Sequence, residues 1–113
     1  MPLLRRSLKH LQDAVVAAST DREKAVALYE LAVFHDNNGR EAAAIPHYRR
    51  AIKLGLDVGT REKAMAWLAS SLYKTGRPFA AMQYVDQAIA ADCPPELMQF
   101  LVSLRRRISR TLS

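Results

Sequence analysis

One pattern is written twice in this chain, 37 residues apart. The first copy runs Leu28, Tyr29, Glu30, Leu31, Ala32, then Gly39 and Arg40, then Ala44, Tyr48, Ala51 and Ile52. The second runs Met65, Ala66, Trp67, Leu68, Ala69, then Gly76 and Arg77, then Ala81, Val85, Ala88 and Ile89. Each copy reads as an apolar helix, a Gly turn and a second helix with small residues at a fixed phase. A unit of this kind cannot bury its apolar face alone and needs a stacked neighbour. The expected fold class is therefore all-α: antiparallel helical hairpins stacked side by side as a solenoid. Arrays of this kind usually hold other proteins rather than catalyse.

The rest of the chain fits six helices. Leu4, Leu8, Leu11, Val15 and Ala18 alternate steps of four and three, one face of an amphipathic helix. Ser19, Thr20 and Asp21 end it and offer an N-cap to the next. The second helix is expected over about 22–36, with Leu28, Leu31, Ala32 and His35 on its apolar stripe. Gly39 suits a left-handed turn after it. A third helix runs over about 41–54, with Pro46 expected to kink or loosen it. Gly55 closes it, and Thr60 is a plausible cap for a fourth helix over about 61–74. Pro78 opens the fifth helix, where its missing donor costs nothing. Pro94 and Pro95 start a sixth, with Leu97, Leu101, Leu104 and Ile108 on its stripe. The expected organisation is one domain: an N-terminal helix over 1–19, one hairpin over 22–55, a second over 60–93, and a capping half-repeat over 94–113.

Composition narrows the function. The 113 residues are half hydrophobic and a quarter charged, as in ordinary globular proteins. The net charge of +6 favours acidic partners: an acidic peptide, nucleic acid or an anionic surface. It equally serves solubility. The lone cysteine, Cys93, has no disulfide partner and no ligand-spaced His, and reads as a small space-filling group. No apolar run is long enough to span a membrane, and Lys9, His10, Gln12 and Asp13 interrupt any signal core. A cytoplasmic, reducing location is expected.

No phosphate loop, nucleophile motif or paired carboxylates with a nearby His is present, so no enzyme, cofactor or metal site is expected. His10, His35 and His47 fall on three different helices at no ligand spacing. His35 reads as a satisfied core residue, and His47 as surface or packing. Arg105, Arg106, Arg107 and Arg110 are the densest charge and the candidate anion site. At a helix C-terminus they also offset the dipole. Arg5, Arg6, Lys9 and His10 form a smaller cluster, read as a solvated face.

The two copies resemble the tetratricopeptide repeat family. Leu28, Leu31, Ala32, His35, Gly39, Ala44, Tyr48 and Ala51 match its signature, with His35 in place of an aromatic. Met65, Leu68, Ala69, Leu72, Gly76, Ala81, Val85 and Ala88 match again. The wording is closer to the bacterial group-5 branch, through Tyr29 to Ala32, His35 and Asp36, Gly39 to Ala42, Leu54 to Leu56, Leu68 to Leu72, and Thr75 to Pro78. Phe100 to Ser103 parallels Trp67 to Ser70 at an offset of 33, which makes the last helix half of a third repeat.

The resemblance implies a protein-binding module, an adaptor or chaperone-like, whose first helices line a concave groove. By position that groove takes Tyr29, Val33, Asp36 and Asn37 from the first repeat. It takes Lys63, Ser70, Tyr73 and Lys74 from the second, and Gln99, Ser103, Arg106 and Arg107 from the last helix. An acidic protein or peptide is the expected partner. The basic clamp that grips heat-shock chaperone tails is absent, because its positions hold Tyr29, Val33, Ala66 and Ser70. Two alternatives stand beside groove binding. One is nucleic-acid or other polyanion binding through the arginine-rich helix, against which counts the lack of aromatics among the arginines. The other is self-association as a homodimer sharing Leu97, Met98, Leu101 and Leu104.

Overall fold

The computed structural model describes residues 7–113. Leu4, Arg5 and Arg6 lie outside the described residues. Six helices follow in order: α1 Leu8–Ala17, α2 Asp21–Asn37, α3 Glu41–Leu54, α4 Thr60–Lys74, α5 Pro78–Ala90 and α6 Pro95–Leu112. Each packs on the next along the chain, and α4 also touches α6. Connections of a few residues leave successive helices no choice but to run antiparallel. No described helix is long and apolar enough to cross a membrane.

The repeat survives at the level of single hydrogen bonds. After α2, Gly39 N–H donates to Asp36 O and Arg40 N–H to His35 O. After α4, Gly76 N–H donates to Tyr73 O and Arg77 N–H to Leu72 O, the same pattern 37 residues on. This is the glycine C-terminal motif, which satisfies the last carbonyls. It requires a left-handed residue, and Gly39 (φ 74°) and Gly76 (φ 84°) supply it.

The small residues set the spacing between helices. Ala44 and Ala51 on α3, and Ala81 and Ala88 on α5, are fully buried, as are Ala32 on α2 and Ala69 on α4. A Cβ with nothing beyond it lets neighbouring helices close up. Around these seams pack Leu28, Met65, Leu68, Leu72, Leu101 and Ile108. Among the described residues of the first stripe, Leu11 alone is fully inside; Leu8 and Val15 are half-buried.

Pro46 lies inside α3, which stays helical from Glu41 to Leu54. The carbonyl it leaves without a donor is that of Ala42, an exposed residue where water serves. Three expectations change. Thr60 is not the cap of α4 but its first residue. Gly59 caps it, with the Glu62 carboxylate accepting from Gly59 N–H. Glu62 is thereby buried, with its charge held by a backbone donor. His35 is not core: it sits half-exposed at the rim of the α2–α3 hairpin. The stripe offered for a homodimer is already used. Leu97, Leu101 and Leu104 are buried within the single chain, and only Met98 is part-exposed.

Candidate binding groove

Helices α2, α4 and α6 run parallel to one another and form one face. Their apolar stripes turn inward, so the next positions round each helix remain on that face. On α4 these are Lys63, Trp67, Ser70 and Lys74, spaced by four, three and four. On α6, Phe100 falls at the phase of Trp67.

Two recesses open here. The larger, about 870 Å³, lies between α1 and α2 and is walled by Leu11, Tyr29, Val33, Phe34, Asn37 and Asn38, with Ser7 and Glu30 at its edge. The smaller, about 320 Å³, is formed by Val33, Asp36 and Asn37 of α2, Tyr48 of α3, Trp67, Ser70 and Lys74 of α4, and Phe100 of α6. Val33 and Asn37 line both, so the recesses meet along one side of α2.

Aromatic contacts hold the walls. Trp67 and Phe100 meet edge to face with centroids 5.1 Å apart. Trp67 Nε1–H donates to the Tyr29 hydroxyl at 3.3 Å, joining α4 to α2. Tyr29 packs at 6.2 Å on Tyr48. The Tyr48 hydroxyl donates to Asp36 Oδ2 at 2.9 Å. Burial and the Asp36 charge beside it both hold Tyr48 far above the ordinary phenol range. Burial also raises Tyr29, partly opposed by its bond from Trp67.

The residues expected in a groove divide into three groups. Val33, Asp36, Asn37, Ser70 and Lys74 come together in the smaller recess, and Tyr29 walls the larger. Lys63, Gln99 and Ser103 are exposed and line neither; Lys63 sits one turn before Trp67. Tyr73 turns toward the end of α6, where its hydroxyl lies 3.1 Å from Thr111 Oγ1. Ala66, a position of the absent clamp, is fully buried. Trp67 and Phe100 were not among the expected groove residues. Their signal was in the sequence, because Trp67 shares the helix phase of Lys63 and Ser70.

The arginine cluster does not act as a unit. Arg105 Nε donates to Asp86 Oδ1 at 2.9 Å and so faces α5. Arg106, Arg107 and Arg110 are exposed, without a carboxylate partner among the described residues.

The family model for the group-5 Tetratrico peptide repeat matches residues 25–106. The chain belongs to this family. The match covers most of α2, all of α3 to α5 and most of α6, so it takes in every residue of the smaller recess. Comparison with curated proteins gives no match. Tetratricopeptide repeats generally act as non-catalytic protein–protein interaction modules.

Proposed function

We propose that this tetratricopeptide repeat chain is an adaptor or chaperone-like module that binds a protein segment along the α2–α4–α6 face. The observation that carries the reading is the pair of recesses joined at Val33 and Asn37, walled by half-buried aromatics. Aromatic rings at a surface supply contact area with little side-chain entropy to lose. A leucine-sized or aromatic side chain of the partner enters between Val33, Trp67 and Phe100. Asp36 is engaged by Tyr48. That leaves Lys74 as the cation facing the occupant, and the preferred segment carries an acidic residue beside its apolar anchor. The Asn37 amide, exposed where the recesses meet, serves the segment's backbone.

Trp67 is the only tryptophan of the chain and reports directly on the recess. Peptides selected against the folded chain from a random display library should shift Trp67 emission on binding. Val33→Glu should abolish both selection and shift, and Lys74→Glu should weaken peptides that carry an acid. Selected peptides that bind Val33→Glu equally and leave Trp67 unchanged would refute the groove.

A further inference from the structure

We infer that the turn end of the array binds single-stranded nucleic acid, on a surface that meets the groove at Lys74 and extends beyond it over the Gly turns and the end of α6. The antiparallel order gathers the C-termini of α2, α4 and α6 at one end, together with the two Gly turns. The contact between Tyr73 of α4 and Thr111 of α6 fixes those two helix ends side by side. The molecule measures 44 × 26 × 26 Å. The 18-residue α6 is about 27 Å long at 1.5 Å per residue. The helices therefore lie across the long axis, and their ends form a strip along it.

Charge is sorted between the two ends. The turn end carries Arg40, Lys74, Arg77, Arg106, Arg107 and Arg110, all exposed, none ion-paired among the described residues. Its acids are Asp36, held by Tyr48, and Glu41. At the opposite end Asp21, Glu23, Asp57, Asp92 and Glu96 offset the basic residues around them, and Asp57 is ion-paired with Arg22. Six cations against two acids leave this end with a net charge of +4. Repeated Gly-Arg turns put two of these cations there, and α6 adds three.

Phe79 decides the kind of polyanion. It is the second residue of α5, beside Arg77, and is 74% exposed. An aromatic ring flanked by cations stacks an unpaired base while the cations hold phosphates. A duplex hides its base faces, so the surface suits a single strand. A stacked strand places one phosphate about every 3.4 Å, so the strip spans about a dozen nucleotides.

The test is fluorescence anisotropy of a labelled 20-nucleotide oligouridylate with the full chain at several KCl concentrations. Six phosphate contacts to a single strand give a log–log salt slope of about −4. Affinity should then fall a few hundredfold between 50 and 200 mM KCl. Replacing Arg106, Arg107 and Arg110 by Gln should reduce the slope by about 2. Phe79→Ala should cost about five- to a hundredfold with the slope unchanged. Lys24→Gln with Lys53→Gln, at the other end, should change little, and circular dichroism confirms that each variant is folded. The proposal is overturned by absence of binding at 25 mM KCl, or by equal losses from the Lys24 and Lys53 control. It is also overturned by tighter binding of a duplex, by polyglutamate of equal charge competing as well as the oligonucleotide, or by binding to anionic vesicles alone.

Discussion

The Tyr48–Asp36 hydrogen bond yields an asymmetric prediction. Tyr48 is fully buried and its hydroxyl has one acceptor, Asp36 Oδ2 at 2.9 Å. Asp36 is half-exposed, so water can replace the hydroxyl it would lose. Tyr48→Phe therefore removes only the net worth of the bond, about 1 kcal/mol. Asp36→Ala instead leaves a buried hydroxyl without a partner, which costs about 2 kcal/mol. In the double variant no hydroxyl remains to be orphaned, and the cost returns to about 1 kcal/mol rather than the roughly 3 kcal/mol of additivity. Urea unfolding, followed by far-ultraviolet circular dichroism and Trp67 fluorescence, measures all three. An Asp36→Ala variant no less stable than Tyr48→Phe, or a strictly additive cycle, would show that the hydroxyl is not the buried, singly satisfied group described. The second hairpin has no such pair: 37 residues on, Asp36 becomes Tyr73 and Tyr48 becomes Val85. The effect should therefore be confined to the first.

Two further perturbations follow from buried or crowded polar groups. Ser71 Oγ is fully buried without a hydrogen-bond partner among the described residues, so Ser71→Ala should stabilise the fold by about 1 kcal/mol and raise Tm by several degrees; a lower Tm would refute this. His35 and His47 stack across α2 and α3 with centroids 5.6 Å apart. Arg40 Nε donates to His35 Nδ1. Burial lowers both imidazoles, aided by Arg40 at His35, and by His35 and Arg50 at His47. The folded state thus favours neutral rings. This contribution is complete above the ordinary imidazole value of 6.5 and is lost as pH falls through the lowered folded values. Unfolding free energy measured by urea from pH 7.5 to 5 should decline, and His35→Gln with His47→Gln should flatten that decline. An unchanged slope in the double variant would exclude the pair as its source.

Much of the fold was legible because its determinants are local. Helix stripes at steps of three and four located the buried faces: Leu28, Leu31, Leu68, Leu72, Leu97, Leu101, Leu104 and Ile108 all lie inside. The Gly-Arg steps marked turns that share one hydrogen-bond pattern. Local rules also misjudged some sites. The Gly59–Glu62 cap was missed because it is made by a glycine's own N–H donating to the Glu62 carboxylate, with no capping hydroxyl involved. His35 shares the helix phase of core residues, yet lies near the open end of its helix where the neighbouring hairpin no longer covers it.

The groove was legible only in part for the same reason. Helix phase put Val33, Asp36, Asn37, Ser70 and Lys74 on one side of their helices. It could not say that Tyr29 would lie behind Trp67, or that Phe100 would close the recess from α6. Nor could it assign Arg105 to Asp86 and so divide the arginine run.

The sequence by itself determined the helices, their turns, the repeat of 37 residues and the faces that must be buried, because these depend on neighbours within about one helical turn. The tertiary structure alone decided which exposed positions meet. It joined two recesses along α2, buried the stripe otherwise available for dimerisation, and gathered Arg40, Lys74, Arg77 and the end of α6 on one strip. Those outcomes depend on how closely whole helices approach and at what rotation, and the fully buried alanines of the seams set both.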